Sequence, residues 1–260
     1  MPDQAESLES PWWRRFFDDD YAAYGLAAID DEASEAAAAF IIDALELEHG
    51  KTLFDQCCGL GRMSIPLARR GIHVIGMDLI GSYVEAARRR AAELNLPCTF
   101  HQGDAHDFIT PAPCDAAINW FTSFGYDEDD QVNIQVLQRA YESLRPGGRF
   151  ALDYHSTPAI LAEFRASHID RPKTEELDDL LILHENEVDF ARGVIRGLWT
   201  AIYADGRRVA KPVETRLYLP HEIIGLLKRC GFTDMQLYGG VDKSPFARAS
   251  RRCIVTARKP

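Results

Sequence analysis

The 260-residue sequence has no run of about 18 apolar residues, the length a bilayer-crossing helix needs, so no membrane-spanning helix is expected. Its start is acidic and lacks the basic-then-apolar leader of a secretory signal, so none is expected either. Basic residues are in the minority: 29 Lys and Arg face 40 Asp and Glu, a formal net charge of -11. Non-specific nucleic-acid binding needs a basic face, and Arg88-Arg89-Arg90 would fan out around a helix rather than form one. Neither nucleic acid nor membrane is therefore expected as a partner. The six cysteines (Cys57, Cys58, Cys98, Cys114, Cys230 and Cys253) form no C-x-x-C pair and no disulfide framework. They read as reduced, mostly buried thiols of a cytoplasmic protein. Internal repeats and long low-complexity tracts are missing too.

What is present is enough apolar residue, 46% of the chain, for one large domain or one domain with a substantial insert. Residues 1–10 are polar and expected to be mobile. Trp13, Phe16, Phe17, Tyr21 and Tyr24 then recur at helical spacing, as on an amphipathic helix docked against a core. A second helix is expected over residues 31–48, stopped by Gly50. From residue 53 strands and helices alternate. A strand is expected to open at residue 53, others at 72–78, 98–102, 116–121 and 149–154, with helices at 63–70, 83–94 and 131–144. That alternation indicates an α/β fold with a parallel sheet wrapped on both faces. Past residue 154 the texture changes. A helix is expected at 158–164. Segments 180–190, 194–204 and 209–219 then read as three antiparallel strands, with Asp205-Gly206 as a strong hairpin signal. A helix at 221–230, stopped by Gly231, and strands at 232–238 and 253–257 follow.

The stretch around which the chain is organised is residues 53–62, LFDQCCGLGR. It reads as a strand, a glycine turn and the start of a helix. Glycine opens backbone angles closed to other residues and lets a ligand approach the main chain, and a helix N-terminus offers unpaired N–H groups. A nucleotide-like ligand at the carboxyl edge of the sheet is expected there. The dinucleotide fingerprint G-x-G-x-x-G is not met, because Ser64 takes the third glycine's place. An acid, Asp55, precedes the turn, and a second, Asp78, closes the next strand.

These residues resemble motif I of the class I S-adenosylmethionine-dependent methyltransferases, an acid followed by alternating glycines. Asp55, Cys57, Gly59 and Gly61 fall on the pattern, with the compact Cys57 replacing its first glycine. A positive φ at that position would be costly for a cysteine. The turn Leu144-Arg145-Pro146-Gly147-Gly148 is similar to one in the same family. The resemblance implies a Rossmann-like seven-stranded, mostly parallel sheet with helices on both faces; the three hairpin strands lie outside it and read as a small antiparallel β insert. It divides the chain into a helical segment closing over the cofactor (1–50), the cofactor-binding core (51–155), the insert or cap (156–219), and a C-terminal helix with edge hairpin (220–260). The insert is expected to cap the substrate side or to pair subunits as a homodimer.

By the same resemblance the cofactor is S-adenosylmethionine and the product S-adenosylhomocysteine. Asp78, with Leu79 beside it, would accept hydrogen bonds from the ribose hydroxyls, the logic of the acid in dinucleotide folds. Asp104 and the Ala105 main chain would meet the adenine. Asp55 would orient the turn and reach the methionine amino group through water, Asn119 would lie near the methionine moiety, and Tyr21 would face the sulfonium. A small-molecule acceptor would contact Tyr24, Phe121, Phe124 and Tyr126, whose rings suit an apolar or cationic group. His155, at the end of the fifth strand, is the candidate base. His101, His106, Asp104 and Asp107 suggest a metal only weakly, since the cofactor reading already uses Asp104, and no metal is expected. The acceptor atom (O, N or C) stays open. So do three rivals: transfer to a peptide or protein terminus, a nicotinamide-dependent oxidoreductase, and a non-enzymatic binder.

Overall fold

The structure, a computed structural model, describes residues 11–26, 31–172 and 179–260. The expectation for residues 1–10 lies outside that range. Near the start, α1 (Trp13–Phe16) and α2 (Asp19–Tyr21) run into a π-helical turn, Ala22–Leu26. The expected single aromatic helix is broken because Asp18 caps a new one, its carboxylate accepting from the Tyr21 N–H at 2.9 Å. Next comes α3 (Asp31–Ala44), which stops short of residue 48. Glu46 turns left-handed (φ 52°), and the Leu47 N–H closes back on the Ile42 carbonyl.

The alternating region follows: β1 (Thr52–Gln56), α4 (Ser64–Arg69), β2 (His73–Asp78), α5 (Gly81–Glu93), β3 (Cys98–Gln102), β4 (Cys114–Asn119), α6 (Asp130–Ser143) and β5 (Leu144–His155). After α7 (Thr157–Ala162) come β6 (Ser167–Asp170), β7 (Leu181–Asp189), β8 (Val194–Ile202) and β9 (Arg208–Arg216). The chain closes with α8 (Pro220–Arg229), β10 (Thr233–Tyr238) and β11 (Arg252–Arg258). Proline at its first position and the Glu222 carboxylate, which accepts from the Leu219 N–H at 2.7 Å, start α8, and Gly231 (φ 97°) ends it.

Two sheets result. The larger has seven strands in the order β10-β11-β5-β4-β1-β2-β3, parallel except where β11 runs antiparallel between β10 and β5. The smaller is an antiparallel meander, β6-β7-β8-β9. Its first strand was not expected: Ser-His-Ile-Asp is too short and too polar to show an alternation. Two boundaries also differ. β4 ends at Asn119 because Phe121 (φ 58°) and Thr122 (φ 63°) turn left-handed. β5 takes in the Pro-Gly-Gly segment, since the Gly147 N–H bonds the Lys259 carbonyl and the Lys259 N–H bonds that of Gly148.

The chain divides into two compact units. One comprises Asp30–Gly125, Asp129–Glu163 and Tyr218–Pro260 and carries the seven-stranded sheet. Successive strand residues feed two cores. Leu53, Val74, Ile118 and Ile254 face α3 and α4, while Phe54, Met77, Phe150 and Val255 face α6 and α8. Burial on both faces explains the near-continuous apolar strands. At β1 the connections reverse, to β2 on one side and β4 on the other. Ligands of open α/β sheets sit at such a switch point. The other unit comprises Met1–Ile29, Tyr126–Glu128 and Phe164–Leu217. In it Tyr24 packs with Leu180, Ile182 and Ala201, and Phe16 meets Trp199 edge-on at 5.3 Å. Lys211, buried, donates to the Phe16 carbonyl and pairs with Asp18.

Candidate functional site

At the switch point β1 leads into the glycine turn. The Cys58 N–H bonds the Met77 carbonyl, prolonging the β1–β2 ladder, and the Gly61 N–H closes a tight turn on the Cys58 carbonyl at 3.0 Å. Three residues of the turn have positive φ: Cys57 at 61°, Gly59 at 54° and Gly61 at 78°. Cys57 thus takes the conformation that its pattern position normally reserves for glycine. A Cβ on Gly61 would stand 3.3 Å from that of Ala87, so α5 also needs glycine there.

Three carboxylates gather around this turn. Asp55 is buried and accepts from the Ser64 hydroxyl at 2.6 Å. Burial pushes its carboxyl up to about 7; the Ser64 bond opposes the shift, and the charge of Asp78 adds to it. Asp78 bridges the turn to the start of α5: one carboxylate oxygen accepts from the Gly59 N–H (2.8 Å), the other from the Ile80 N–H (3.0 Å). Burial raises its pKa too, against those two backbone bonds. Asp104, past β3, accepts from the His106 N–H (3.0 Å) and lies 2.6 Å from that ring's Nδ1. Burial first, then the charges of Asp78, Asp55 and Asp104, push the Cys57 thiol well above its ordinary value. Leu79 and Ala105 sit half-buried beside the second and third carboxylates.

Asn119 lies at the end of β4, paired in register with Gln56 of β1. Both N–H groups of its amide are used, one on Gln56 Oε1 (3.2 Å) and one on the Ser123 carbonyl (3.1 Å). Gln56 in turn donates to the Val136 carbonyl. Asn119 Oδ1 is buried with no hydrogen-bond partner among the described residues. Leaving such an acceptor unmet costs about 1–3 kcal/mol.

The loop after β4 is held from below by Asp153. Its carboxylate accepts from the Phe121 N–H (3.0 Å) and from Arg252 at 2.7 and 2.5 Å. The same guanidinium reaches Thr122 Oγ1 at 3.1 Å. Phe121, 37% exposed, is covered by the guanidinium of Arg62, 3.6 Å from the ring centre. The glycine turn and this loop are thereby brought together through Arg62 and Phe121.

The remaining candidates are placed differently. Phe124 is buried and stacked on Tyr218 at 5.6 Å, in the core. Tyr126 belongs to the other unit, where Trp12 donates to its carbonyl and packs on its ring at 5.0 Å. Tyr21 and Tyr24 also lie in that unit, 5.6 Å apart, with Tyr24 buried and its pKa raised by that burial. His155 ends β5 half-buried, with its ring 4.0 Å from that of Tyr154. His101 lies against Phe108. Sequence reasoning missed Ser64, Gln56, Arg62 and the Asp153–Arg252 pair. Only Ser64 had a signal, since a hydroxyl in the third glycine's place can serve the acid of its own motif.

The family described as "Methyltransferase domain" matches residues 53–148. The S-adenosyl-L-methionine-dependent Diels-Alderase iccD of Talaromyces variabilis is 34% identical over 113 residues, 42% of this chain and 37% of that protein. The chain therefore spans little more than a third of that relative. The putative methyltransferase YqeM of Bacillus subtilis (strain 168) is 25% identical over 217 residues, 81% of this chain and 85% of that one. Among solved structures, the sugar N-methyltransferase KedS8 of Streptoalloteichus sp. ATCC 53650 superposes with a TM-score of 0.72 over 93% of each chain, at 20% identity.

Proposed function

We propose that this chain, whose residues 53–148 are a class I S-adenosylmethionine-dependent methyltransferase domain, transfers a methyl group to a nucleophilic atom of a small-molecule acceptor. The observation that carries the proposal is the sign of the charge at the turn. Asp55, Asp78 and Asp104 all act on Cys57, and the Gly59 N–H is given to Asp78. A dinucleotide's pyrophosphate needs such an N–H and would be repelled by three carboxylates. A sulfonium carrying an α-ammonium meets complementary charge. The nicotinamide reading is disfavoured on that ground.

When bound, the cofactor supplies an already activated methyl group, so the protein's task is to align the acceptor and exclude water. Asp78 retains lone pairs for the ribose hydroxyls beyond its two backbone bonds, with the Leu79 main chain alongside. Asn119 Oδ1 would accept from the α-ammonium, and Asp55 would add negative charge near the turn. Asp104 and Ala105 border the adenine. Cys57, Gly59 and Gly61 shape the turn. Phe121, fixed by Asp153 and Arg62, presents a ring to the acceptor, and His155 takes the acceptor's proton where one must leave. Phe124 packs in the core, and Tyr126, Tyr21 and Tyr24 pack within the other unit. The likeness to a sugar N-methyltransferase over nearly the whole chain supports amino sugars as the first acceptors to try.

Calorimetric titration with S-adenosylmethionine and S-adenosylhomocysteine, with NAD as control, tests the reading. Binding of the first two in the micromolar range and none of NAD is expected; no binding, or binding of NAD alone, removes it. With an acceptor in hand, His155→Ala should depress turnover and leave cofactor affinity unchanged. Full turnover would take His155 out of the mechanism.

A further inference from the structure

One cluster has no part in the chemistry above. His168 and His184 face each other across the β6–β7 pair, and Asp170 lies two residues along on the same face. Nε2 of His184 is 3.3 Å, and Nε2 of His168 3.6 Å, from one oxygen of Asp170. The three candidate donor atoms all lie within 4.8 Å of one another. We propose that His168, Asp170 and His184 form a binding site for a divalent transition-metal ion of the zinc type.

The spacing carries the proposal. Charge-assisted hydrogen bonds close to about 2.7–2.9 Å, and neither imidazole comes that near the carboxylate. Ligands about 2.0–2.1 Å from an ion at tetrahedral angles stand about 3.3 Å apart. The His184 separation already has that value and the His168 one, at 3.6 Å, is slightly wider, so a small convergence of the two rings completes the set. The rings are stacked, 4.5 Å apart and 5° from parallel. Converging on an ion asks for rotation about the side-chain bond to each ring, a soft torsion in histidine.

Trp199 stands edge-on to His184 at 4.4 Å and walls the site on one side. Asp170 is mostly exposed and leaves an entry. Two imidazoles and a carboxylate suit zinc, with a fourth position left for water. Such an ion would clip the four-residue edge strand β6 to β7.

The full chain, stripped with chelator, is titrated with Zn2+ by calorimetry and with Co2+ by absorption. One ion per chain is expected, without the thiolate charge-transfer band that any of the free cysteines would give. His168→Gln, Asp170→Asn and His184→Gln should each weaken binding by more than the about 10–100-fold typical of an outer-shell change. S-adenosylmethionine affinity should stay unchanged in all three. If His184→Gln fails to fold, the two more exposed positions decide. No stoichiometric ion, a thiolate spectrum, or affinity unaltered in His168→Gln and Asp170→Asn overturns the proposal, and none of these outcomes touches the methyltransferase reading.

Discussion

Cys57 is the residue that makes this turn unusual. With φ at 61° it holds a left-handed backbone that costs a side-chain-bearing residue about 1–2 kcal/mol. The strain persists because the turn is pinned on both sides: the Gly59 N–H is tied to Asp78 and the Cys58 N–H to the Met77 carbonyl. Cys57→Gly would relieve the strain but add chain entropy to the unfolded state and lose the thiol's contacts. The net change expected in urea denaturation is therefore within about 1 kcal/mol, with cofactor affinity held within about twofold. Cys57→Val should lose about 2 kcal/mol or more, since a β-branched side chain fits the left-handed region worst. Equal stability of the two variants would show that the turn relaxes out of this conformation. The sequence told that a glycine position had been taken by cysteine. The angle it would adopt was not legible, because it depends on bonds to Met77 and Asp78 at the end of β2, remote in the chain.

At the scale of elements, the parallel strands were legible because both faces of each are buried and glycine or polar turns bound them. What stayed hidden was set by partners distant in sequence. β6 exists because β7 pairs with it, and β5 starts early because Lys259 bonds its Pro-Gly-Gly segment. The loop after β4 is shaped by the Asp153–Arg252 pair, reaching across the β5–β11 ladder. Asp153 is 2% exposed. Arg252→Ala would strip a buried carboxylate of its counter-charge, a loss worth about 3 kcal/mol where one partner of a buried pair is removed. The Phe121–Thr122 turn should loosen with it. The expected readout is a fall of that order in urea stability, with Asp153→Asn combined with Arg252→Gln recovering part of it. A loss under about 1 kcal/mol would mean that water replaces the guanidinium and that the pair does not hold the loop.

For the whole chain, the acid excess reaches into the fold at Asp55. Its carboxyl titrates near 7 in the folded protein, raised by burial above an unfolded value of 3.8. Below 3.8 both states hold the proton and nothing is lost. Between 3.8 and about 7 the folded state keeps a proton that the unfolded state releases, so unfolding free energy falls as pH rises. Above about 7 the penalty is complete and constant, on the order of a few kcal/mol. Asp55→Asn keeps an acceptor for Ser64 and removes the charge. Its stability relative to the native chain should therefore climb between pH 4 and 7 and then level off. Two compact units make any whole-chain melt composite, so this difference between chains is the quantity to follow. A bound cation reverses the sense, because positive charge beside Asp55 drives its proton off. Affinity for S-adenosylmethionine should rise from pH 6 to 8 in the native chain and stay flat in Asp55→Asn. A native profile as flat as the variant's would mean that Asp55 does not face the cationic end of the cofactor, and the charge argument for the site would then rest on Asp78 and Asp104 alone.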